Sequence, residues 1–377
     1  VTDGRAHLLM TTDAVGGVWQ YATDLARALG RHGWRTTLAH LGPPPSAEQR
    51  AALADDPEVD LVETGLPLDW LTDDEGEIAR SAEALARMAR ERRVDLVQLN
   101  AAPLAGVARF PVPVVTVAHS CIATWWAAVK QEPLANEYFW RTALVGAGLR
   151  ASDRIVAPSG AFADATMDAY RLKQRPLVVH NGRPLITRPS FAMHDFCFTA
   201  GRLWDKAKNV ATLDRVAGRL AVPFRAAGAL QGPNGEAAAS LSHLHALGRI
   251  DEAQIGRWLG SRPVFVSAAL YEPFGLAVLE AAAAGCPLVL SDIPTFRELW
   301  DGVATFVAAN DDRTFAEVSD TIVGDAGLRQ ALGEAARERA GRYTPVAMAA
   351  GMAAVYASLG LRPAMNQALG VAGKAAA

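Results

Sequence analysis

Val264-Phe265-Val266-Ser267, then Ala268-Ala269-Leu270, then Tyr271-Glu272-Pro273-Phe274-Gly275, and finally Leu276 to Ala284 closed by Gly285, read as a strand, a tight loop and a helix. β-branched and aromatic residues favour the extended segment, and the Leu/Ala-rich run favours a helix. Between them Pro273 lacks an N–H and restricts Glu272 away from the helical region, which keeps Glu272 in the loop. Working outward, the same rhythm recurs. β-rich apolar runs fall at 196–200, 224–227, 263–267, 287–291 and 304–307, and earlier at 6–10, 35–40, 94–99, 112–117, 154–157 and 176–179. Amphipathic stretches such as 19–29 and 210–220 lie between them. Repeated βα units of this kind predict an α/β protein built on parallel sheets.

The 377 residues exceed one ordinary core and suit two domains. Asn181-Gly182-Arg183-Pro184, followed by Pro189, concentrates turn formers and marks the boundary. The expected division is 1–184 and 185–343, two Rossmann-like halves, then 344–362 carrying a helix at 345–359, and a tail at 363–377 whose small residues Gly370 to Ala377 fray. Half the residues are hydrophobic and a fifth charged, with a net charge of −3, a balance that fits a globular protein and offers no basic face for nucleic acid. Cys121, Cys197 and Cys286 are too few and too scattered for a disulfide scaffold or zinc site, so a cytoplasmic setting is expected. No signal core opens the sequence. The longest nearly apolar run, 281–290, falls short of the roughly 20 residues that span a membrane.

Three clusters could carry chemistry. At the loop quoted above, Gly275 admits close approach of the backbone, and the helix start beginning at Leu276 offers unpaired N–H groups suited to a diphosphate. Glu272 could accept from sugar hydroxyls and Glu280, a turn further on, from a ribose. Two arbitrary glutamates would more simply be surface charges, but both flank one Pro-Phe-Gly turn at a strand-to-helix junction, where open α/β sheets bind ligands. The second cluster is Gly201-Arg202-Leu203 with Lys208-Asn209, after the strand that opens the second half. Its guanidinium fork and compact ammonium could stabilise a departing nucleotide diphosphate without a metal, and no Asp-x-Asp occurs to suggest a metal bridge. As isolated cations they would be surface residues. The third is the turn Asp13-Ala14-Val15-Gly16-Gly17-Val18, whose glycines could admit a phosphate or an acceptor, or simply make a turn. His119 follows a predicted strand and could reach an interdomain cleft. Nearby, Trp125 and Trp126 could stack on a sugar or aglycone as acceptor contacts, although core packing explains at least one as well.

In this order and spacing the clusters resemble glycosyltransferase family 4, over nearly the whole chain. The resemblance is strongest in Tyr-Glu-Pro-Phe-Gly-Leu-Ala-Val-Leu-Glu, residues 271–280, and in Gly-Arg-Leu then Lys-Asn at 201–209. It implies the GT-B architecture, two Rossmann-like halves facing each other across a cleft with the last helix returning to the first. It further implies a retaining transfer of a hexose-type sugar from a nucleotide-diphosphate sugar, UDP- or GDP-linked, with no cofactor and no metal. Arg202 and Lys208 would bind the diphosphate, Glu272 and the main chain of Phe274, Gly275 and Leu276 the sugar, and Glu280 the ribose. Ile250, in Leu247-Gly-Arg-Ile-Asp251, would meet the base, Gly16 and Gly17 would form the N-terminal loop, and His119 would approach the C6 side of the sugar. Two departures stand out. Arg183-Pro184 replaces a common Val-Asp after Asn181-Gly182, and Ser267-Ala268-Ala269 replaces a common Pro-Ser; these bear on the linker and on sugar selectivity.

A nucleotide-sugar epimerase of the same architecture would need an acid/base set aimed at C2, which the sequence does not define. An inactive sugar-nucleotide-binding protein would not need every transfer residue, yet all are present. A dehydrogenase would need the Gly-x-Gly-x-x-Gly fingerprint. The acceptor could be a small molecule, a saccharide or a lipid-linked one. Arg80, Arg87, Arg90, Arg92 and Arg93 could contact anionic lipid at a peripheral membrane surface, but a solvated helix is the simpler explanation.

Overall fold

The computed structural model describes residues 5–130, 132–184, 192–238 and 240–363. Pro189 of the expected linker and the expected tail Gly370 to Ala377 lie outside the described residues.

Strands β1 (Ala6–Asp13), β2 (Trp34–Leu41), β3 (Val59–Glu63), β4 (Leu96–Leu99), β5 (Val114–Val117), β6 (Arg154–Ala157) and β7 (Leu177–Val178) form one sheet, in the order β3-β2-β1-β4-β5-β6-β7. A second sheet holds β8 (Cys197–Ala200), β9 (Phe224–Ala227), β10 (His245–Gly248), β11 (Val264–Ser267), β12 (Leu288–Ser291) and β13 (Thr305–Val307), in the order β10-β9-β8-β11-β12-β13. All pairings in both are parallel. Each order reverses beside its first strand, between β1 and β4 and between β8 and β11, and the carboxyl ends there are where such sheets hold ligands. The expected α/β, two-sheet architecture is what the chain adopts.

Helices on both faces explain the central strands. Leu8, Leu9 and Met10 of β1 are wholly buried, so the strand is a continuous apolar run rather than an alternating one. The strands that sequence reading missed, β3 and β10, are both edges. Val-Asp-Leu-Val-Glu and His-Ala-Leu-Gly each join one ladder only and stay partly exposed, so neither needs the apolar run that betrays a central strand. The helix expected at 210–220 is Val210–Ala217, and the one expected at 345–359 is Pro345–Ala357.

Thr344 caps that last helix, its hydroxyl accepting from the Ala347 N–H at 3.2 Å, with Pro345 in the first turn where a missing N–H costs nothing. Met348, Met352 and Tyr356 then join the core of the first sheet, with the Tyr356 ring edge-on to Trp34 at 5.1 Å. The outgoing and returning chain touch on the way. The Arg183 N–H donates to the Tyr343 carbonyl at 3.1 Å, and a Cβ on Gly182 would lie 2.2 Å from the Thr344 backbone. Elsewhere, no described helix is long and apolar enough to cross a membrane. Of the arginines singled out around Glu75–Glu91, Arg80 pairs with Asp74 at 3.0 Å and Arg92 with Asp60.

Candidate active site

The second sheet supplies a charged wall. Gly201 follows β8 and Gly228 follows β9, at φ +155° and +145°. A Cβ on Gly228 would sit 1.7 Å from the Gly201 carbonyl oxygen, so only glycine lets the two loops nest and brings Arg202 to the sheet edge. The Arg202 guanidinium donates to Asp205 Oδ2 at 2.8 Å and lies over Trp204. Lys208 ends a single 3-10 turn, and Asn209 after it is left-handed, at φ 52°. The Asn209 amide holds that turn by donating to the carbonyls of Ala268 at 3.1 Å and Ala309 at 2.9 Å. The Lys208 ammonium is thereby brought onto Glu272, with which it forms an ion pair.

Gly275, at φ +94°, caps the helix Leu276–Ala283 in a conformation that side chains resist. Glu280 projects from that helix and meets Arg183 of the linker, whose Nε donates to Glu280 Oε1 at 2.8 Å. The same guanidinium donates to Asp24 Oδ2 at 2.7 Å and to Glu252. One cation thus joins the first helix of the first half, Gly17–Gly30, to two helices of the second, Glu252–Gly260 and Leu276–Ala283. Burial pushes the Glu280 and Asp24 carboxyls up, and the charge of Arg183 opposes that rise at both.

The first sheet supplies a different wall. Gly16 is extended and opens the helix Gly17–Gly30. A Cβ on Gly17 would meet Leu276 at 3.0 Å, and one on Gly16 would meet Arg202 at 3.8 Å, so this loop faces the charged wall directly. Burial pushes the His119 imidazole down to about 3, leaving it neutral at ordinary pH. Its Nε2 lies 2.9 Å from Asn100 Oδ1, so that nitrogen donates and Nδ1 remains an acceptor. Asp13 accepts from the Val15 N–H at 2.9 Å and is raised by burial. Asp69 is pushed up to about 6 by burial and by the charge of Asp13. Between the walls, the Tyr271 hydroxyl lies 2.8 Å from Thr124 Oγ1 and 3.2 Å from Ser120 Oγ.

A cavity of about 470 Å³, a volume suited to a small-molecule ligand, lies between the walls. Gly16, Gly17, His119, Arg202, Lys208, Ile250, Glu272, Phe274, Gly275, Leu276 and Glu280 all line it, so the residues singled out from sequence come together. Trp125 and Trp126 are not among its lining residues, and this corrects the expectation that they face an acceptor. The Trp125 indole N–H is spent on Asp205 Oδ1 at 3.0 Å, tying the halves together. Trp126 packs on Tyr138 at 5.3 Å and donates to the carbonyls of Glu132 and Pro133. Sequence reading missed Asp69 and Asn181 in the lining, and the partnership of Arg183 with Glu280. The replacement of Val-Asp by Arg183-Pro184 was the one signal for the last; Asp69 reaches the cavity from a loop with no motif.

Comparison with known proteins fits this geometry. Residues 15–185 match the family model described as Glycosyltransferase Family 4, and residues 236–339 match Glycosyl transferases group 1. A stretch of 124 residues is 32% identical to phosphatidyl-myo-inositol mannosyltransferase of Mycobacterium leprae (strain TN), covering 32% of this chain and 33% of that one. The chain spans about a third of the length of the curated relatives it matches. Sucrose-phosphate synthase from Thermosynechococcus elongatus superposes with a TM-score of 0.73 at 18% identity, covering 94% of this chain and 99% of that one. Anabaena HepE in complex with UDP and glucose gives 0.70 at 16% identity, covering 94% and 100%. The fold and cleft are therefore those of the GT-B class. Within it, the chain belongs with the family-4-like glycosyltransferases.

Proposed function

We propose that the chain transfers a hexose-type sugar from a nucleotide-diphosphate sugar, UDP- or GDP-linked, to a hydroxyl acceptor, with retention of configuration and without a metal. The observation that carries this reading is the lining of one cavity by Arg202, Lys208, Glu272 and Glu280 beneath the helix start at Leu276, with Gly16 and Gly17 opposite. UDP bound to the Anabaena neighbour supports a donor of this kind. In this reading Arg202 and Lys208 take up the charge that develops on the departing diphosphate, the role a metal plays elsewhere. The Lys208–Glu272 pair opens on donor binding, so that the ammonium turns to phosphate and the carboxylate to sugar hydroxyls. Glu280, ionised beside Arg183, accepts from the ribose. His119, neutral, accepts a hydroxyl proton through Nδ1 and orients the sugar. A histidine of such low basicity is a poor general base, which suits a front-face route in which the leaving phosphate takes the acceptor proton.

The test is thermal stabilisation of the purified protein by UDP, GDP, ADP, TDP and their sugar conjugates in the presence of EDTA. Stabilisation by one nucleotide family is expected, and NMR of the product with that donor then reads the anomeric configuration. No shift with any of them at millimolar concentration sinks the reading.

A further inference from the structure

The cavity's two walls carry charge very differently. Every lysine and arginine among its described lining residues, Arg202, Lys208 and Arg249, comes from the second half. The same half lines the cavity with Asp205, Glu272 and Glu280, and Arg202 pairs with Asp205 and Lys208 with Glu272. Among the described residues, the first half contributes Asp13 and Asp69 and no lysine or arginine to the lining. Arg141, which bonds to this wall's Asp69 from behind, is committed: it donates to the carbonyls of Asp69, at 3.0 Å, and Thr72, at 2.6 Å, and to the Asp73 carboxylate at 2.6 Å. Arg202 is the cation that reaches toward Asp13 from the opposite wall, and it already pairs with Asp205.

A second observation points to a ligand with hydroxyls. Thr166 Oγ1 and Asn181 Oδ1 have no hydrogen-bond partner among the described residues, though their residues are only 1% and 6% exposed, and both residues line this cavity. Buried polar atoms are ordinarily satisfied, so an unsatisfied one at a cavity wall calls for a partner, which a bound molecule or an ordered water can supply. Val145, Leu149 and Ala102, which pack in one apolar cluster, also line the cavity and give it an apolar back.

We propose that the first-half wall selects a polyhydroxylated acceptor carrying no phosphate or carboxylate, held by hydrogen bonds to Asp13, Asp69, Thr166 and Asn181 against an apolar back. The inference rests on the transferase reading and names the substrate class of that same cavity. Carboxylates accept from hydroxyls or ammonium groups and repel anions, and a bound donor diphosphate adds negative charge to the same space. With no cation among the described lining residues of that wall, a phosphorylated acceptor would meet repulsion that nothing there offsets.

The test uses the full chain saturated with the nucleotide that stabilises it, and measures binding of skeleton-matched probes by calorimetry. The probes are myo-inositol, inositol 3-phosphate, glucose, glucosamine and glucose 6-phosphate. The uncharged or amine-bearing member of each set should bind at least about tenfold tighter than its phosphorylated partner, and Asp69→Asn should shrink that ratio while leaving nucleotide binding intact. Preference for glucosamine over glucose would assign the acids to an ammonium group, and parity would assign them to hydroxyls; either agrees with the proposal. A phosphorylated probe that binds as well as its partner overturns it, as does a protein that binds nucleotide but none of the uncharged probes. If the nucleotide itself fails to bind, the transferase reading falls and takes this inference with it, an outcome told apart from the others before any acceptor is added.

Discussion

The two walls of the cleft stand on sheets with the same strand order around their switch points, yet one gathers its charges into tight pairs and the other scatters a few acids among glycines and apolar residues. On the second-half wall, Arg202, Lys208 and Glu272 each hold a partner of opposite charge. On the first-half wall, the charge of Asp13 instead adds to the cost of ionising Asp69. A pair that must open for its ligand is preorganised yet loses little when the ligand substitutes for the partner. Acids left facing one another keep a space hospitable to donors and hostile to anions.

Variants can break this contrast, and the largest effect belongs to the residue that joins the walls. Arg183→Met leaves Asp24 and Glu280 without their shared cation, so chemical denaturation should show a loss of about 3–5 kcal/mol, as for other broken buried pairs. Adding Asp24→Asn should recover part of it; a single variant as stable as the parent would show the cluster to be inconsequential. Next, Lys208→Ala should lower kcat by roughly 100- to 1,000-fold with the donor KM little changed, the pattern for lost stabilisation of developing charge. Glu280→Gln should act chiefly on donor affinity, weakening it by about tenfold, since hydrogen bonds to charged groups contribute roughly 1.5–3 kcal/mol.

The smallest effect is on pH dependence, where the first wall holds groups of opposite sign. His119 titrates near 3 when folded against an ordinary 6.5, so the unfolded chain binds more protons and stability falls as pH drops from about 6.5 toward 3. Asp69 titrates near 6 against 3.8, so the folded chain binds more protons and stability falls as pH rises from about 3.8 through 6. Asp69→Asn should therefore raise the melting temperature by a few degrees at pH 7 and leave it nearly unchanged at pH 4. His119→Gln should flatten the acid side of the curve. Identical profiles for parent and both variants would remove these groups from the pH response.

The second wall was legible in the sequence because its chemistry lies in two short motifs, 201–209 and 271–280, each fixed by a single strand end. The central strands were legible too, since burial on both faces writes itself as an apolar run. Edge strands β3 and β10 were not, because half-exposed residues obey no such demand. On the first wall Gly16, Gly17 and His119 were legible from their strand ends, while its remaining polar groups escaped for another reason. Asp69, Thr166 and Asn181 come from separate segments of the chain, and only tertiary packing makes them neighbours of one cavity. Trp125 misled because an aromatic pair near a strand end suits a sugar or a joint equally, and the choice was made by Asp205, 80 positions away.

The side-by-side passage of the chain at Gly182 and Thr344 has a mechanical consequence. Both covalent connections between the halves meet at one spot, like the covers of a book sharing a spine. Displacement in a rotation grows with the lever arm, so any rotation of one half about that spot would carry the outer lips of the cleft furthest. Arg183, adjacent to the spine, would scarcely travel in such a rotation, and its grip on Asp24 and Glu280 could persist through it.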